Sequence, residues 1–335
     1  MPVDSQVLSD ADWAGCRVLI TGGLGFIGSN LAIRLCELGA NVTVLDSLTP
    51  EYGGNLANLA GYENRLKINI SDVRDVHSLR FLVRDQQFLF NLAGQTSHMD
   101  SMQDPFTDLE INCRAQLSIL ETCRHVNPEV RLVFASTRQL YGRPEYLPVD
   151  EKHPLRPVDV NGINKLSGEF YHLLYQQVYG IPACVLRLTN TFGPRMRIRD
   201  ARQTFVGVWI RNILENRPFE VWGGQQLRDF TWVDDCVDAM LRAATHPAAV
   251  GRCFNLGGME PISLQRLAEV LVEVNGSGDF VIRQFPEERR RIDIGDYYSD
   301  DRQIRDLLDW QPDTDVQTAL RKTLDYFRPR LPLYI

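Results

Sequence analysis

Three glycines near the start of the chain have the spacing of a phosphate-binding turn. Residues 21–28 read TGGLGFIG, directly after a short β-branched run and before apolar residues at helical spacing. Glycines at positions 22, 25 and 28 permit a tight turn and close approach of the backbone to an anion, and the helix that follows adds unpaired N–H groups. We therefore predict that Gly22, Gly25, Phe26, Ile27 and Gly28 bind the pyrophosphate of a dinucleotide.

An acidic residue ends the next apolar run. Asp46, followed by Ser47, stands where a carboxylate can bind the adenosine ribose hydroxyls of such a cofactor. A carboxylate there would repel a 2′-phosphate, which favours NAD over NADP. The alternative is that the glycines only form a tight turn between a strand and a helix. The agreement of strand, turn, helix and terminal aspartate argues against that alternative.

The elements that must position these residues alternate along the first half of the chain. Short apolar runs separated by helical patterns begin at Arg17, Val42, Leu66, Phe88, Arg131 and Cys184. Such runs are typical of a parallel sheet covered on both faces. We predict the α/β class, with a doubly wound Rossmann-type parallel sheet over residues 14–190 and a returning segment near 229–256. A smaller C-terminal substrate-binding lobe is expected over 191–335, with helices at 205–214 and 263–274.

The composition excludes several classes of protein. The chain has 335 residues, of which 44% are hydrophobic and 24% charged, and its net charge is −7, so a soluble globular protein is expected and a nucleic-acid binder is not. The sequence has no apolar stretch of membrane-spanning length and no signal-peptide pattern at its start. Its seven cysteines are scattered and its six histidines lack the spacing of metal ligands. We expect a cytoplasmic protein with no metal, nucleic-acid or membrane partner.

Further motifs follow the later apolar runs. They are Asp72–Val73, Leu92–Ala93–Gly94, Asn112, the STRQLYG segment at 136–142, Lys165, RLTNTFGPR at 187–195, RDFTWVDD at 228–235 and FNLGG at 254–258. With the G-x-x-G-x-x-G turn, they resemble the extended short-chain dehydrogenase/reductase family over essentially the whole chain, and its nucleotide-sugar epimerase/dehydratase branch in particular. Within that branch, the AGQ segment at 93–95 and the overall spacing look closest to CDP-tyvelose 2-epimerase and UDP-glucose 4-epimerase.

This resemblance implies roles for individual residues. The cofactor would also contact Asp72, Val73, Leu92, Ala93, Gly94, Asn112, Ala135, Lys165 and Leu188. The substrate would contact Gln95, Thr96, Asn190, Arg228 and Arg291, although any arginine of the triplet 289–291 could supply the last contact. Thr137 would hydrogen-bond the reacting oxygen, Lys165 would hold the nicotinamide ribose, and Asn161 would complete the catalytic group.

The activity implied by the resemblance is the epimerisation of a nucleotide-diphosphate sugar. A sugar carbon would give hydride transiently to tightly bound NAD and take it back. Two alternatives stay open. One is another enzyme of the same family (a dehydrogenase, decarboxylase or dehydratase) that uses a base other than tyrosine. The other is a non-catalytic protein that binds NAD or a nucleotide sugar. The family also implies a homodimer formed by the helices that begin near Asp108 and Leu166.

Two departures from the family pattern bear on the chemistry. Arg138 and Gln139 stand where 4,6-dehydratases carry an acidic pair, and neither can do that acid–base work at neutral pH, so dehydration is disfavoured. Asn161 stands where the Y-x-x-x-K segment of the family has its tyrosine, and an amide cannot exchange the proton. Another group must then accept it. The candidates are Lys165 first, His98 or Asp100 next, and Tyr141 last.

Overall fold

A seven-stranded parallel sheet lies at the centre of the computed structural model, which describes residues 13–285 and 292–335. Its strands are β1 (Arg17–Thr21), β2 (Asn41–Asp46), β3 (Lys67–Ile70), β4 (Phe88–Asn91), β5 (Arg131–Thr137), β6 (Ala183–Leu188) and β11 (Cys253–Leu256). The order across the sheet is β11-β6-β5-β4-β1-β2-β3. The predicted doubly wound α/β class is therefore confirmed.

Helices cover both faces of the sheet. On one face lie α1 (Phe26–Glu37), α8 (Val233–Thr245) and α10 (Arg302–Leu308), and on the other lie α2 (Val76–Leu82), α5 (Ala115–Val126) and α6 (Val160–Tyr179). Successive residues of a strand point to opposite faces of the sheet. Val18 and Ile20 therefore pack against the helices α1, α8 and α10, and Leu19 packs against the helices on the other face. Because both faces are buried, the strands are apolar throughout rather than alternating.

The order of the strands brings β1 and β4 together at the sheet's C-terminal edge. The Thr21 hydroxyl, at the end of β1, donates to Asn91 Oδ1 at 2.9 Å and accepts the N–H groups of Leu92 and Ala93 at 3.1 Å each. The glycine turn after β1 and the segment after β4 therefore lie side by side. Ligands of doubly wound sheets bind in a crevice of this kind.

Three helical segments connect β4 to α5. They are α3 (His98–Gln103), α4 (Pro105–Leu109) and a π-helical turn (Glu110–Arg114) that runs directly into α5. The helix predicted to begin near Asp108 thus begins at Pro105, where Asp104 Oδ1 accepts the N–H of Thr107 at 3.1 Å. Proline is favoured in a first turn because its missing donor is not needed there.

Shorter strands and three helices of the later part of the chain enclose a further core, separate from the two that flank the central sheet. The strands are β7 (Asn190–Phe192), β8 (Phe219–Trp222), β9 (Leu227–Arg228), β10 (Phe230–Trp232), β12 (Ile262–Ser263) and β13 (Phe280–Arg283), and the helices are α7 (Phe205–Leu214), α9 (Leu264–Asn275) and α11 (Val316–Phe327). The helix predicted at 205–214 is confirmed. Ser263 caps α9 by accepting the N–H of Arg266 at 3.1 Å.

The returning segment contributes α8 and β11 to the central layer, because β11 pairs with β6. The division of the chain into two domains at residue 190 stays a prediction. Strand β5 continues two residues beyond the predicted run, since Ser136 and Thr137 pair with Arg187 and Leu188 of β6. Across the described ranges, no helix is both long enough and apolar enough to cross a membrane.

Candidate active site

The glycine turn forms a cradle for an anion at the start of α1. Gly22 has a φ of 69°, and a Cβ added to it would lie 3.0 Å from the Leu92 carbonyl oxygen. A Cβ on Gly28 would lie 2.2 Å from the Gly22 carbonyl oxygen, so side chains are excluded from both positions. Gly25 begins the helix without a side-chain cap, which leaves the first-turn N–H groups for a ligand. This geometry fits a pyrophosphate.

Asp46 is fixed beside this cradle by backbone donors. Its Oδ2 accepts the N–H of Leu24 at 3.0 Å, and its Oδ1 accepts that of Leu48 at 2.9 Å. Burial raises the pKa of Asp46, and these N–H groups oppose the increase. The carboxylate therefore faces the cofactor cavity in a fixed orientation.

The cofactor cavity has a volume of 260 Å³ at the edge of β1 and β4. Of the predicted cofactor residues, those that line it are Gly22, Gly25, Phe26, Ile27, Gly28, Asp46, Ser47, Asp72, Val73, Leu92, Ala93, Gly94, Ala135, Lys165 and Leu188. The predicted catalytic residues Thr137 and Asn161 line it as well. The sequence motifs thus converge on one cavity, although they are spread over most of the sheet.

Two predicted ligands lie behind the cavity wall instead. Asn112 is fully buried, and its amide donates to the Gln95 carbonyl oxygen at 2.9 Å and to Asp108 Oδ2 at 3.0 Å. Gln95 is 2% exposed and its side-chain amide donates back to the Ser97 carbonyl oxygen at 2.9 Å. Neither side chain lines a described cavity. Both stabilise the loop after β4, and their contact with a ligand stays a prediction.

Lys165 enters the cavity from α6 beneath Gly94. Its Nζ donates to the Ala135 carbonyl oxygen at 3.1 Å. A Cβ on Gly94 would come within 2.9 Å of this nitrogen, so the glycine makes room for the lysine. Burial lowers the pKa of Lys165 to about 8, against the opposing effect of Asp108. The ammonium group is therefore held in the cavity at an energetic cost.

Thr137 ends β5 with its hydroxyl at the cavity. Its Oγ1 accepts the N–H of Gln139 at 3.2 Å, which begins a short 3₁₀ helix. A hydroxyl that accepts at its oxygen keeps its own proton for donation. Thr137 can thus donate a hydrogen bond to a ligand oxygen.

A second cavity, of 720 Å³, adjoins the first. The wall common to both cavities is formed by His98, Arg138, Asn190, Gln203 and Thr204. We call this set the shared wall. Molecules bound in the two cavities would lie next to each other along this wall.

The predicted substrate residues distribute over both cavities. Asn190 belongs to the shared wall, Arg228 lines the second cavity, and Thr96 lines the cofactor cavity. Arg228 donates to the carbonyl oxygens of Leu227 and Gly295, and burial together with nearby Arg138 lowers its pKa to about 10. An anion in the cavity would relieve this unfavourable charge. Arg291, like the rest of the triplet, lies outside the described residues.

Asn161 belongs to a buried cluster of amides around one carboxylate. Asp108 is fully buried, and its two oxygens accept hydrogen bonds from Asn112 and Asn161 at 3.0 Å each and from Asn164 at 2.8 Å. Asn161 also donates to the Gln95 carbonyl oxygen at 2.8 Å. Both of its amide hydrogens are therefore engaged within the protein.

The candidate proton acceptors differ in their positions. Tyr141 is fully buried, donates to Asn255 Oδ1 at 2.6 Å and lines neither cavity, so it stabilises the fold. Asp100 lines the second cavity and forms an ion pair of 2.9 Å with Arg202. His98 belongs to the shared wall, and its Nδ1 lies 2.9 Å from Asp159 Oδ2.

Sequence reasoning missed several residues that the structure brings to the site. Asp108 and Asp159 were not singled out, nor were Tyr52, Gln203 and Thr204 of the cavity walls. The position of Asp159 directly before a helix is the signal of an N-cap, and Asp108 stands four residues before Asn112 on a helix. The cavity-wall residues lie on irregular loops, which carry no periodic pattern.

Comparison with known proteins assigns the family. The model of the NAD dependent epimerase/dehydratase family matches residues 18–257, which is more than half of the chain. The chain therefore belongs to this family. It is an enzyme, and NAD as its cofactor is confirmed.

Individual relatives align over nearly the whole chain. A putative UDP-glucose 4-epimerase of Methanocaldococcus jannaschii is 30% identical over 314 residues, covering 93% of this chain and 98% of that protein. UDP-glucuronic acid decarboxylase 1 of Xenopus tropicalis is 32% identical over 325 residues, covering 94% and 73%. The crystal structure of UDP-glucose 4-epimerase from Thermotoga maritima with UDP-glucose superposes with a TM-score of 0.86 at 28% identity, covering 94% and 99%.

Proposed function

We propose that this protein is an NAD-dependent epimerase of a nucleotide-diphosphate sugar. The observation that carries the proposal is the junction of two cavities along the shared wall. A sugar in the second cavity would have its reacting carbon against the cofactor, and its nucleotide would extend toward Arg228. The M. jannaschii and T. maritima relatives, which are named for UDP-glucose, support a substrate of this class.

The residues of the site divide this work between them. Bound NAD would supply the hydride acceptor and donor for one sugar carbon, so that the carbon is oxidised to a ketone and reduced again on its other face. Thr137 donates a hydrogen bond to the reacting oxygen, and the ammonium of Lys165 favours negative charge on that oxygen. Asn190 and Arg228 hold the diphosphate, which adds to the counter-charge that Asp293 supplies at 3.4 Å from Arg228 Nη2.

The test is incubation of the NAD-loaded enzyme in D₂O with UDP-glucose, UDP-galactose and UDP-glucuronate. We expect one of them to be converted to its epimer, with transient absorbance of NADH. The inverted carbon carries no deuterium in the product, because the same hydride returns to it. Deuterium at that carbon would contradict hydride transfer. Failure of UDP-, CDP-, dTDP- and GDP-sugars alike to give product or NADH would overturn the proposal.

Arg138 favours a second candidate, which is action on a uronic acid. Its Nη2 donates to Asn190 Oδ1 at 3.1 Å, while its buried Nη1 has no hydrogen-bond partner within 13–285 and 292–335. Burial lowers the pKa of Arg138. A carboxylate on the sugar would supply both the partner and the counter-charge. The Xenopus relative, named for UDP-glucuronic acid, agrees with such a substrate.

The KM values for UDP-glucuronate and UDP-glucose decide between these substrates. If the substrate is a uronic acid, KM is lower for UDP-glucuronate, and R138M abolishes the preference. The products then distinguish an epimer from a decarboxylated pentose. Equal KM values in the wild type would contradict this second candidate.

A further inference from the structure

The shared wall holds two ionisable side chains, His98 and Arg138, among the described residues. The carbon that is oxidised must lie against the cofactor, so the group that takes its hydroxyl proton must reach the same junction. An arginine stays protonated and cannot accept that proton. Lys165 lines only the cofactor cavity and Asp100 only the second cavity. Within the described residues, His98 is therefore the side chain of the shared wall that can accept a proton.

A buried carboxylate stands behind His98. Asp159 caps α6, its Oδ1 accepting the N–H of Gly162 at 2.7 Å, while its Oδ2 accepts the Gln139 amide at 3.0 Å and lies 2.9 Å from His98 Nδ1. The ring N–H is not aligned with Oδ2, so the contact is electrostatic rather than a linear hydrogen bond. Burial by itself would raise the pKa of Asp159, but these contacts outweigh it and hold the pKa below its ordinary value. An ionised Asp159 stabilises an imidazolium beside it.

Asn161 fixes the loop that carries His98. Its backbone N–H donates to Ser101 Oγ at 3.2 Å, and its side-chain amide donates to the Gln95 carbonyl oxygen at 2.8 Å. These contacts hold both ends of the segment 95–101, with His98 between them. The residue that replaces the tyrosine of the family thus positions the loop rather than exchanging a proton.

We propose that His98 is the proton acceptor and donor of this enzyme, with Asp159 and Asn161 as its positioning residues. The inference rests on the proposed function. His98 Nε2 takes the proton of the sugar hydroxyl while the carbon of that hydroxyl loses its hydride to NAD⁺. The O–H and C–H bonds break, the C=O bond forms, and the alcohol is oxidised as NAD⁺ is reduced. In the return direction the imidazolium gives the proton back to the oxygen.

The experiment measures single-turnover NADH formation by the NAD-loaded enzyme with UDP-glucose and UDP-glucuronate. H98A lowers the rate by about 10²–10⁴-fold, the usual contribution of a general base. It does not weaken the binding of NAD or UDP, and added imidazole restores part of the rate. H77A, which removes an exposed histidine of α2, is the matched control and keeps the wild-type rate without a response to imidazole.

The D159N variant separates a positioned proton acceptor from a structural histidine. It lowers kcat and leaves KM and the binding of UDP unchanged, because the carboxylate that stabilises the imidazolium is gone while an asparagine still caps the helix. In an H98A background the same change has no further effect on the rate.

The outcomes distinguish this inference from the proposed function. An H98A enzyme as fast as the wild type would overturn the role of His98 and leave the epimerase intact. So would a slow H98A variant that added imidazole does not rescue. A wild type that forms no NADH with UDP-, CDP-, dTDP- and GDP-sugars alike would overturn the proposed function, and this inference with it.

Discussion

Lys165 is a buried cation whose neighbouring carboxylate, Asp108, is already surrounded by amides. Its pKa is lowered to about 8 by burial, whereas an unfolded lysine has a pKa of about 10.4. Between these two values the unfolded state binds more protons than the folded state. The free energy of unfolding of the apoprotein therefore contains a contribution from Lys165 that rises with pH across this window.

We predict that K165M is more stable than the wild type at pH 7, by about 1–3 kcal/mol, because the buried charge is removed. The difference shrinks as the pH rises from about 8 to about 10.4. Urea denaturation of both apoproteins over this range measures it. K152M, at an exposed position, controls for the loss of a positive charge. A difference that does not change with pH would show that Lys165 has an ordinary pKa.

The second residue-scale prediction concerns Asp46. Its carboxylate is fixed by the N–H groups of Leu24 and Leu48 and lines the cofactor cavity. A 2′-phosphate beside it suffers a repulsion of about 1–3 kcal/mol, so NAD binds about 5–150-fold more tightly than NADP. D46N keeps an oxygen that accepts one of these two backbone N–H groups, and it reduces the difference in affinity between NAD and NADP. Calorimetric titration with both cofactors is the measurement, and equal affinities in the wild type would contradict the prediction.

At the scale of single residues, the sequence predicts which residues line the cofactor cavity better than it predicts which side chains they contact. The glycine turn and Asp46 are local patterns, since each follows its own strand directly. The contact between His98 and Asp159 joins the loop after β4 to the start of α6, and no local pattern contains both residues. The motif of Gln95 is also local and predicts a ligand contact, but it does not predict the hydrogen bond of its side chain to the Ser97 carbonyl oxygen.

At the scale of elements, α4 and α6 are held together by Asp108 and its three amide donors. N161Y inserts a ring where the side chain is 2% exposed and removes two donors at once. We predict a loss of about 1–3 kcal/mol of stability and slower turnover, because the His98 loop loses its anchor. Thermal unfolding and initial rates measure the two effects.

Q317Y, at an exposed position of α11, is the control for an added tyrosine. It leaves both quantities unchanged. A faster N161Y enzyme with an undiminished Tm would show that the asparagine does not anchor the loop.

Elements differ in how well the sequence predicts them. Strand β1 is predicted at both ends, because burial on two faces requires an uninterrupted apolar run. The π-helical turn at Glu110–Arg114 is not predicted, since its residues are compatible with an ordinary helix. What distinguishes it is the tertiary burial of Asn112 against the loop after β4.

At the scale of the whole molecule, α4 and α6 present an apolar face to solvent. Phe106 is 77% exposed and Phe170 is 52% exposed, and Leu109 and Leu174 accompany them. Leu120 of α5 is fully buried against the sheet and is not part of this face. A face of this kind supports the homodimer implied by the family resemblance.

We predict that light scattering reports a dimer at micromolar concentration and that F170E reports a monomer. A charge in an apolar interface is left without a partner, whereas on an exposed monomer surface it is tolerated. F81E is the matched control, because Phe81 is 75% exposed on α2 and lies outside this face. A monomeric wild type would contradict the prediction.

The position of β11 in the sheet has a consequence for biosynthesis. Residues 253–256 pair with residues 185–188 of β6, so the outer strand of the sheet is translated long after its neighbour. Until Leu256 has left the ribosome, β6 keeps an open row of backbone donors and acceptors. Unpaired edges of this kind recruit strands from other chains. The interval between the synthesis of these two segments is therefore when the nascent polypeptide is most exposed to aggregation, and when chaperone protection matters most.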